Sequence, residues 1–157
     1  TVVSEIKNII DVPLIVKLSP NFNTIIESAI ISKENGADAI SIINTITGTA
    51  FDIETFKPRL ANISGGLSGP AIKPVALFHV YRLAKEKILP VIGMGGISCW
   101  QDAVEFLIAG ACAIGVGTAN FINPVISEKI IEGIAGYMVS MGFSSLDEIV
   151  GKAIKES

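Results

Sequence analysis

The chain has 157 residues, 50% of them hydrophobic, and a formal net charge of -3, with an isoelectric point near 5.1. That length suits one compact domain with a core of its own. The mildly acidic balance, without basic clusters, argues against nucleic acid or an anionic membrane as the main partner. Two cysteines, Cys99 and Cys112, supply neither a disulfide framework nor enough ligands for an iron–sulfur cluster.

A mean hydropathy of +0.59 raises the membrane question, most sharply over 106–127, which carries no formal charge. Gly110, Gly115, Gly117, Asn120, Asn123 and Pro124 interrupt that stretch, so it reads as helix end, buried strand and loop rather than a span. The first residues show no signal-peptide pattern, and cytoplasm is the expected location.

In chain order, Val2, Ile6, Ile9 and Ile10 have helical spacing, so 1–10 reads as the tail of an amphipathic helix. Asp11-Val12-Pro13 turns into the apolar run 14–18, a strand holding one lysine, Lys17. A helix over 24–35 closes at Gly36 by the left-handed stop that glycine permits. The run 39–44 is a second buried strand. The segment 45–70, rich in Thr, Gly and Ser, is too long for a plain connection and should serve a site or lie disordered. A helix over 71–87 tolerates Pro74 in its first turn. Strand 90–94, helix 100–109, strand 113–116 and a long helix over 124–141 follow. A last helix over 146–155 has Ser145 as its N-cap.

The order is four βα units with strands apolar throughout, as strands covered on both faces should be. An internal echo supports a repeat: Asp11-Val12-Pro13-Leu14-Ile15 resembles Ile88-Leu89-Pro90-Val91-Ile92. Likewise Asn35-Gly36-Ala37-Asp38-Ala39-Ile40 resembles Ala109-Gly110-Ala111-Cys112-Ala113-Ile114. A whole (β/α)8 barrel takes about 250 residues. The expectation is therefore an α/β fold, the C-terminal half of a TIM barrel (strands 5–8, parallel), spanning 1–157 with its N-terminal half absent. An open sheet and a paired half-barrel are the alternatives.

The organising stretch is 91–118. Val91-Ile92-Gly93-Met94-Gly95-Gly96-Ile97 and Ala111-Cys112-Ala113-Ile114-Gly115-Val116-Gly117-Thr118 each run a strand signal into glycine ahead of a helix. In a (β/α)8 barrel the loops after strands 7 and 8 grip phosphate through backbone N–H groups, which a nearby β-carbon would obstruct. Gly95-Gly96 and Gly117-Thr118 are the candidate grip. Any phosphorylated ligand would satisfy it, and glycine can serve a strand-to-helix turn for geometry alone. Lys17 is a charge near the C-terminal end of an apolar strand, so it should face an anion, a strong acceptor or an ion-pair partner. Asn44 offers donor and acceptor at a strand end, fit for a ligand edge that needs both or for capping its own turn.

Lys17-Leu18-Ser19-Pro20-Asn21, Ile42-Ile43-Asn44-Thr45, Gly65-Gly66-Leu67-Ser68-Gly69-Pro70-Ala71-Ile72-Lys73-Pro74, Gly93-Met94-Gly95-Gly96-Ile97 and Val116-Gly117-Thr118-Ala119-Asn120-Phe121 together resemble the C-terminal half of dihydroorotate dehydrogenase. The form they resemble is the bacterial type B catalytic subunit, and the likeness runs in order along nearly the whole chain. It implies an FMN-bearing barrel that oxidises dihydroorotate to orotate in pyrimidine synthesis, with hydride passing from substrate C6 to flavin N5. Carried over by position, Lys17, Ile43, Gly69, Gly95, Gly96, Gly117 and Thr118 would contact FMN, and Asn44 and Thr45 the substrate. A lysine at the flavin's N1 and C2 carbonyl would favour hydride arrival by stabilising negative charge there.

The family's base cysteine belongs to the N-terminal half. Neither Cys99 nor Cys112 matches it, so no catalytic base is assigned and the chain alone should not turn over. The resemblance also implies an electron-transfer subunit carrying FAD and a [2Fe-2S] cluster, and a homodimer within a heterotetramer. Rival readings are a dihydropyrimidine dehydrogenase-like FMN domain, a phosphosugar isomerase or lyase barrel, and a non-catalytic half-barrel module held by its edge strands. His79, Trp100, Cys99 and Cys112 read as packing or surface residues, Cys112 as a small core residue. Asp52, Glu54, Lys57 and Arg59 read as solvated charges.

Overall fold

The computed structural model of the chain describes residues 1–155. Helix α1 (Val2–Lys7) leads into strand β1 (Ile15–Leu18) and helix α2 (Ile25–Glu34), then β2 (Ala39–Ile42). A hairpin of β3 (Ile46–Gly48) and β4 (Gly65–Leu67) precedes a 3-10 turn and helix α3 (Lys73–Lys85). Strand β5 (Val91–Met94), helix α4 (Trp100–Ile108), strand β6 (Ala113–Gly115) and helices α5 (Ala119–Ile122), α6 (Ile126–Met141) and α7 (Lys152–Lys155) complete the described chain.

The four apolar strands form one parallel sheet in the order β1-β2-β5-β6. This is the architecture expected of half a (β/α)8 barrel, and β1 and β6 are its edges. Strand alternation divides the sheet into two faces. One carries Val16, Ile40 and Val91 in register and packs beneath the helices with Val80, Leu83 and Phe106. Burying each such side chain stabilises the fold by about 1.5–3 kcal/mol. The opposite face carries the row Lys17, Ser41, Ile92 and Ala113, and Ile15 on it is 50% exposed. In a closed barrel that face points inward.

The internal echo has a physical basis. Gly36 and Gly110 both adopt left-handed φ, +95° and +107°. In each case the next amide reaches back five residues, Ala37 N to Ser32 O and Ala111 N to Phe106 O, both at 3.0 Å. These are Schellman-type stops that turn a helix sharply into the next strand. Gly93 has a different task. An ideal Cβ there would lie 2.6 Å from Cδ1 of Phe106, so its missing side chain is the room into which the ring packs.

Several expectations are corrected. Of the two fates expected for 45–70, the segment takes the first, with Thr45, Ser68, Gly69 and Pro70 on a cavity wall, but it is more regular than expected: β3 and β4 pair antiparallel at its root, and Phe51 bridges Pro58 further out. Asp52, read as a solvated charge, also forms a turn. Its Oδ1 accepts from Glu54 N, Thr55 N and Thr55 Oγ1 at 3.1, 2.8 and 2.9 Å, and the Thr55 bonds lead in holding its carboxyl below the ordinary range.

The helix expected over 146–155 is broken by Gly151 at φ 68° into a 3-10 turn (Leu146–Glu148) and α7. Ser145 does cap it, accepting from Asp147 N at 3.2 Å. Cys112 is exposed rather than core. Trp100 packs on α6 at Gly133, where a Cβ would fall 2.2 Å from its ring. Among the described residues no helix is long and apolar enough to cross a membrane, and no group of three or more His, Cys, Asp or Glu could hold a metal ion.

Candidate functional site

Parallel strands deliver their C-terminal ends to one rim, and four ends converge here. Lys17 from β1, Ile43 and Thr45 after β2, Met94 to Ser98 after β5, and Val116 to Ala119 after β6 line one cavity with Ser68, Gly69, Pro70 and Ile72. All seven residues expected at FMN are on its wall, and so is Thr45; Asn44 is not. Asn44 instead accepts its neighbour's amide, Thr45 N, on Oδ1 at 2.9 Å, the turn-capping fate weighed against a substrate role. The cavity measures about 210 Å³, short of the roughly 300–1,000 Å³ of a complete small-molecule site.

The wall is divided by chemistry. Ile43, Ile72, Met94, Ile97, Val116 and Ile122 make it apolar. At one end the backbone N–H groups of Gly96, Ile97, Gly117 and Thr118 find no backbone acceptor among the described residues, leaving donors for an anion. Across the cavity, Lys17 takes part in no salt bridge among the described residues. Charge and amide donors thus share the rim, as the sequence pattern required.

The glycines divide in a way that spacing does not reveal. A Cβ on Gly95 would lie 2.9 Å from Ala76 Cβ and 3.1 Å from Ile43 Cγ1. On Gly96 it would lie 2.7 Å from Lys73 N and 2.8 Å from Gly69 O. With φ of +123° and +80°, these two glycines are demanded by the protein's own backbone. Gly117 and Gly69 differ: a Cβ on either would meet nothing within 4 Å. Of the two turns read as a phosphate grip, only the second is glycine with open space beside it.

Sequence reasoning missed what locks the rim together. Asp102, buried at the start of α4, accepts on Oδ2 from Ser98 N (2.8 Å), Ser98 Oγ (2.8 Å) and Cys99 N (3.2 Å), and on Oδ1 from Lys73 Nζ (2.7 Å). Lys73 also reaches Glu105 Oε1 at 3.0 Å. Burial alone would raise the Asp102 pKa, but the Lys73 and Ser98 bonds outweigh it and hold the carboxyl far below the ordinary range. Those carboxylates in turn raise the Lys73 pKa, Asp102 foremost. Asn21 ties the hairpin to β1, donating to Thr45 O (3.1 Å) and accepting from Thr47 N (2.9 Å). A capping signal at 99–102 was available in the sequence; the lysine 29 residues earlier gave none.

Known proteins resemble the chain along this same stretch. The family model described as "Dihydroorotate dehydrogenase" matches residues 1–138. The dihydroorotate dehydrogenase B (NAD(+)) catalytic subunit of Caldicellulosiruptor saccharolyticus is 50% identical over 150 residues, 96% of this chain and 50% of its own length. The subunit of the same name from Alkaliphilus metalliredigens is 53% identical over 150 residues, with the same shares. That of Bacteroides thetaiotaomicron is 51% identical over 138 residues, 88% of this chain and 46% of its own. The chain spans about half the length of the curated relatives it matches. A match over residues 1–138, on a parallel sheet whose strand ends gather one cavity, makes this chain a member of the dihydroorotate dehydrogenase family.

Proposed function

We propose that residues 1–157 form the flavin-binding half of a dihydroorotate dehydrogenase, which oxidises dihydroorotate to orotate in pyrimidine synthesis. The observation that carries the reading is one cavity with amide donors at one end, an apolar wall, and a lysine across from them, the donors without a backbone acceptor and the lysine without an ion pair among the described residues. Those features fit the phosphate, the flat ring system and the electron-rich N1–C2 edge of FMN. The N–H groups of Gly96, Ile97, Gly117 and Thr118 would hold the phosphate, with Gly117 leaving room for it to approach. Ile43, Gly69 and Gly95 would border the ring. FMN, when bound, supplies the hydride acceptor.

Lys17 would hold positive charge where negative charge develops, lowering the barrier by pre-organised electrostatics. Thr45 would orient the pyrimidine through its hydroxyl, and Asn44 would join it once its bond to Thr45 N is exchanged for substrate. No proton acceptor is assigned in this chain; the base cysteine and the cavity's remaining wall belong to the other half of the family's length. Electrons would leave through a partner subunit with FAD and a [2Fe-2S] cluster, in a heterotetramer built on a homodimer of catalytic chains in the cytoplasm. The relatives' name, dihydroorotate dehydrogenase B (NAD(+)) catalytic subunit, supports a separate partner subunit.

The test joins this chain to the N-terminal half of the Caldicellulosiruptor saccharolyticus subunit. The product should purify yellow, release FMN on denaturation, and bleach anaerobically with dihydroorotate but not with dihydrouracil. A folded, colourless chimera that takes up no FMN refutes the reading.

A further inference from the structure

The α4 N-terminus lies beside the cavity, and the two amides that lead into it are already taken. Ser98 N and Cys99 N both point into Asp102. The amides of this rim left open to an anion include those of Gly96 and Ile97 on one side and Gly117 and Thr118 on the other. The cap that fixes the β5–α4 turn also places a full negative charge directly behind it, since Ser98 is itself a wall residue. Asp102's side chain is only 11% exposed, so water does little to screen it. What neutralises it is Lys73 at 2.7 Å, the first residue of the helix that follows the Gly69-Pro70 wall. Backbone contact between the two turns, where Gly96 leaves no room for a Cβ against Lys73 N and Gly69 O, keeps that ammonium in place.

We infer that Lys73 is a positioning residue for phosphate: it cancels the charge of the Asp102 cap, so the glycine-turn amides can receive an anion without a bare carboxylate behind them. The inference rests on the flavin reading above and adds a division of labour to it. Lys17 serves the ring; Lys73 serves the phosphate without touching it, because its ammonium is held by Asp102 and Glu105.

The experiment compares FMN with riboflavin, which lacks the phosphate, by fluorescence titration of the apo chimera at a temperature well below its melting point. Lys73→Gln should weaken FMN by about tenfold, the order of one partly screened charge–charge interaction, and change riboflavin less than twofold. Adding Asp102→Asn to Lys73→Gln should restore most of the FMN affinity, because the offending charge is gone. Lys73→Arg, which keeps the charge and the fold, should bind both like wild type. Parallel loss of FMN and riboflavin, no loss at all, or no recovery in the double variant overturns the inference while leaving the flavin reading intact. A wild-type chimera that binds neither flavin overturns the flavin reading itself.

Discussion

Replacing Gly96 with alanine separates a glycine kept for the fold from one kept for a ligand. At φ +80° an alanine bears a left-handed penalty of roughly 1–2 kcal/mol. Its Cβ would also sit 2.7 Å from Lys73 N and 2.8 Å from Gly69 O. Both are backbone atoms that cannot swing aside, and forced overpacking adds roughly 1–3 kcal/mol. The sum, about 2–5 kcal/mol, corresponds to a fall in melting temperature of about 4–20 °C for a domain of this size. Gly117→Ala is the control. Its φ is not in the left-handed region and its Cβ meets nothing within 4 Å, so stability should move by less than about 1 kcal/mol, while FMN affinity falls because the methyl fills the approach to the amides. Thermal unfolding of the two variants followed by circular dichroism decides the matter. Wild-type melting for Gly96→Ala, or an equal fall for Gly117→Ala, would refute the assignment of roles.

Lys17→Ala should leave the melting temperature within a few degrees of wild type, and in the chimera it should slow flavin reduction more than it weakens dihydroorotate binding; stopped-flow reduction at wild-type speed counts against its place at the ring. Phe106→Ala should destabilise by about 3–5 kcal/mol. Gly93→Ala paired with Phe106→Leu should lose less than the two single changes summed, since both alter one contact; additive losses in urea unfolding would contradict that contact. Because the Asp102 pKa is lowered from 3.8, its stabilisation is complete above that value and fades as pH falls towards the native one. The gap in melting temperature between wild type and Asp102→Asn should therefore be constant from pH 5 to 7 and shrink below about pH 4. A gap that stays constant down to pH 3 would disprove the coupling.

The sheet was legible because each strand is a short apolar run ended by turn residues, and a glycine with left-handed φ stops α2, α4 and α6. Lys17 was legible as a charge out of place in such a run. The hairpin was not: Ile46-Thr47-Gly48 and Gly65-Gly66-Leu67 are too short and too glycine-rich to show alternation. Cys112 misled because its neighbours are apolar, yet it is exposed and precedes β6, an edge of the sheet. Glycine identity alone could not tell Gly96 from Gly117, because the difference lies in what stands opposite the missing β-carbon. The Lys73–Asp102 pair was hidden by its separation in sequence, since charges on amphipathic helices ordinarily face solvent.

The two borders of the parallel sheet are unlike each other. At β1 the lysine on the open face sets a cation beside the free ladder, a device that discourages foreign strands from adding. At β6 the sequence Ala113-Ile114-Gly115 carries no such guard. Self-association of the isolated chain should then run through β6 alone, joining two copies by the same border and leaving no second sticky side. Contacts of that isologous kind close on themselves, so the isolated chain is directed towards discrete dimers and away from growing fibres.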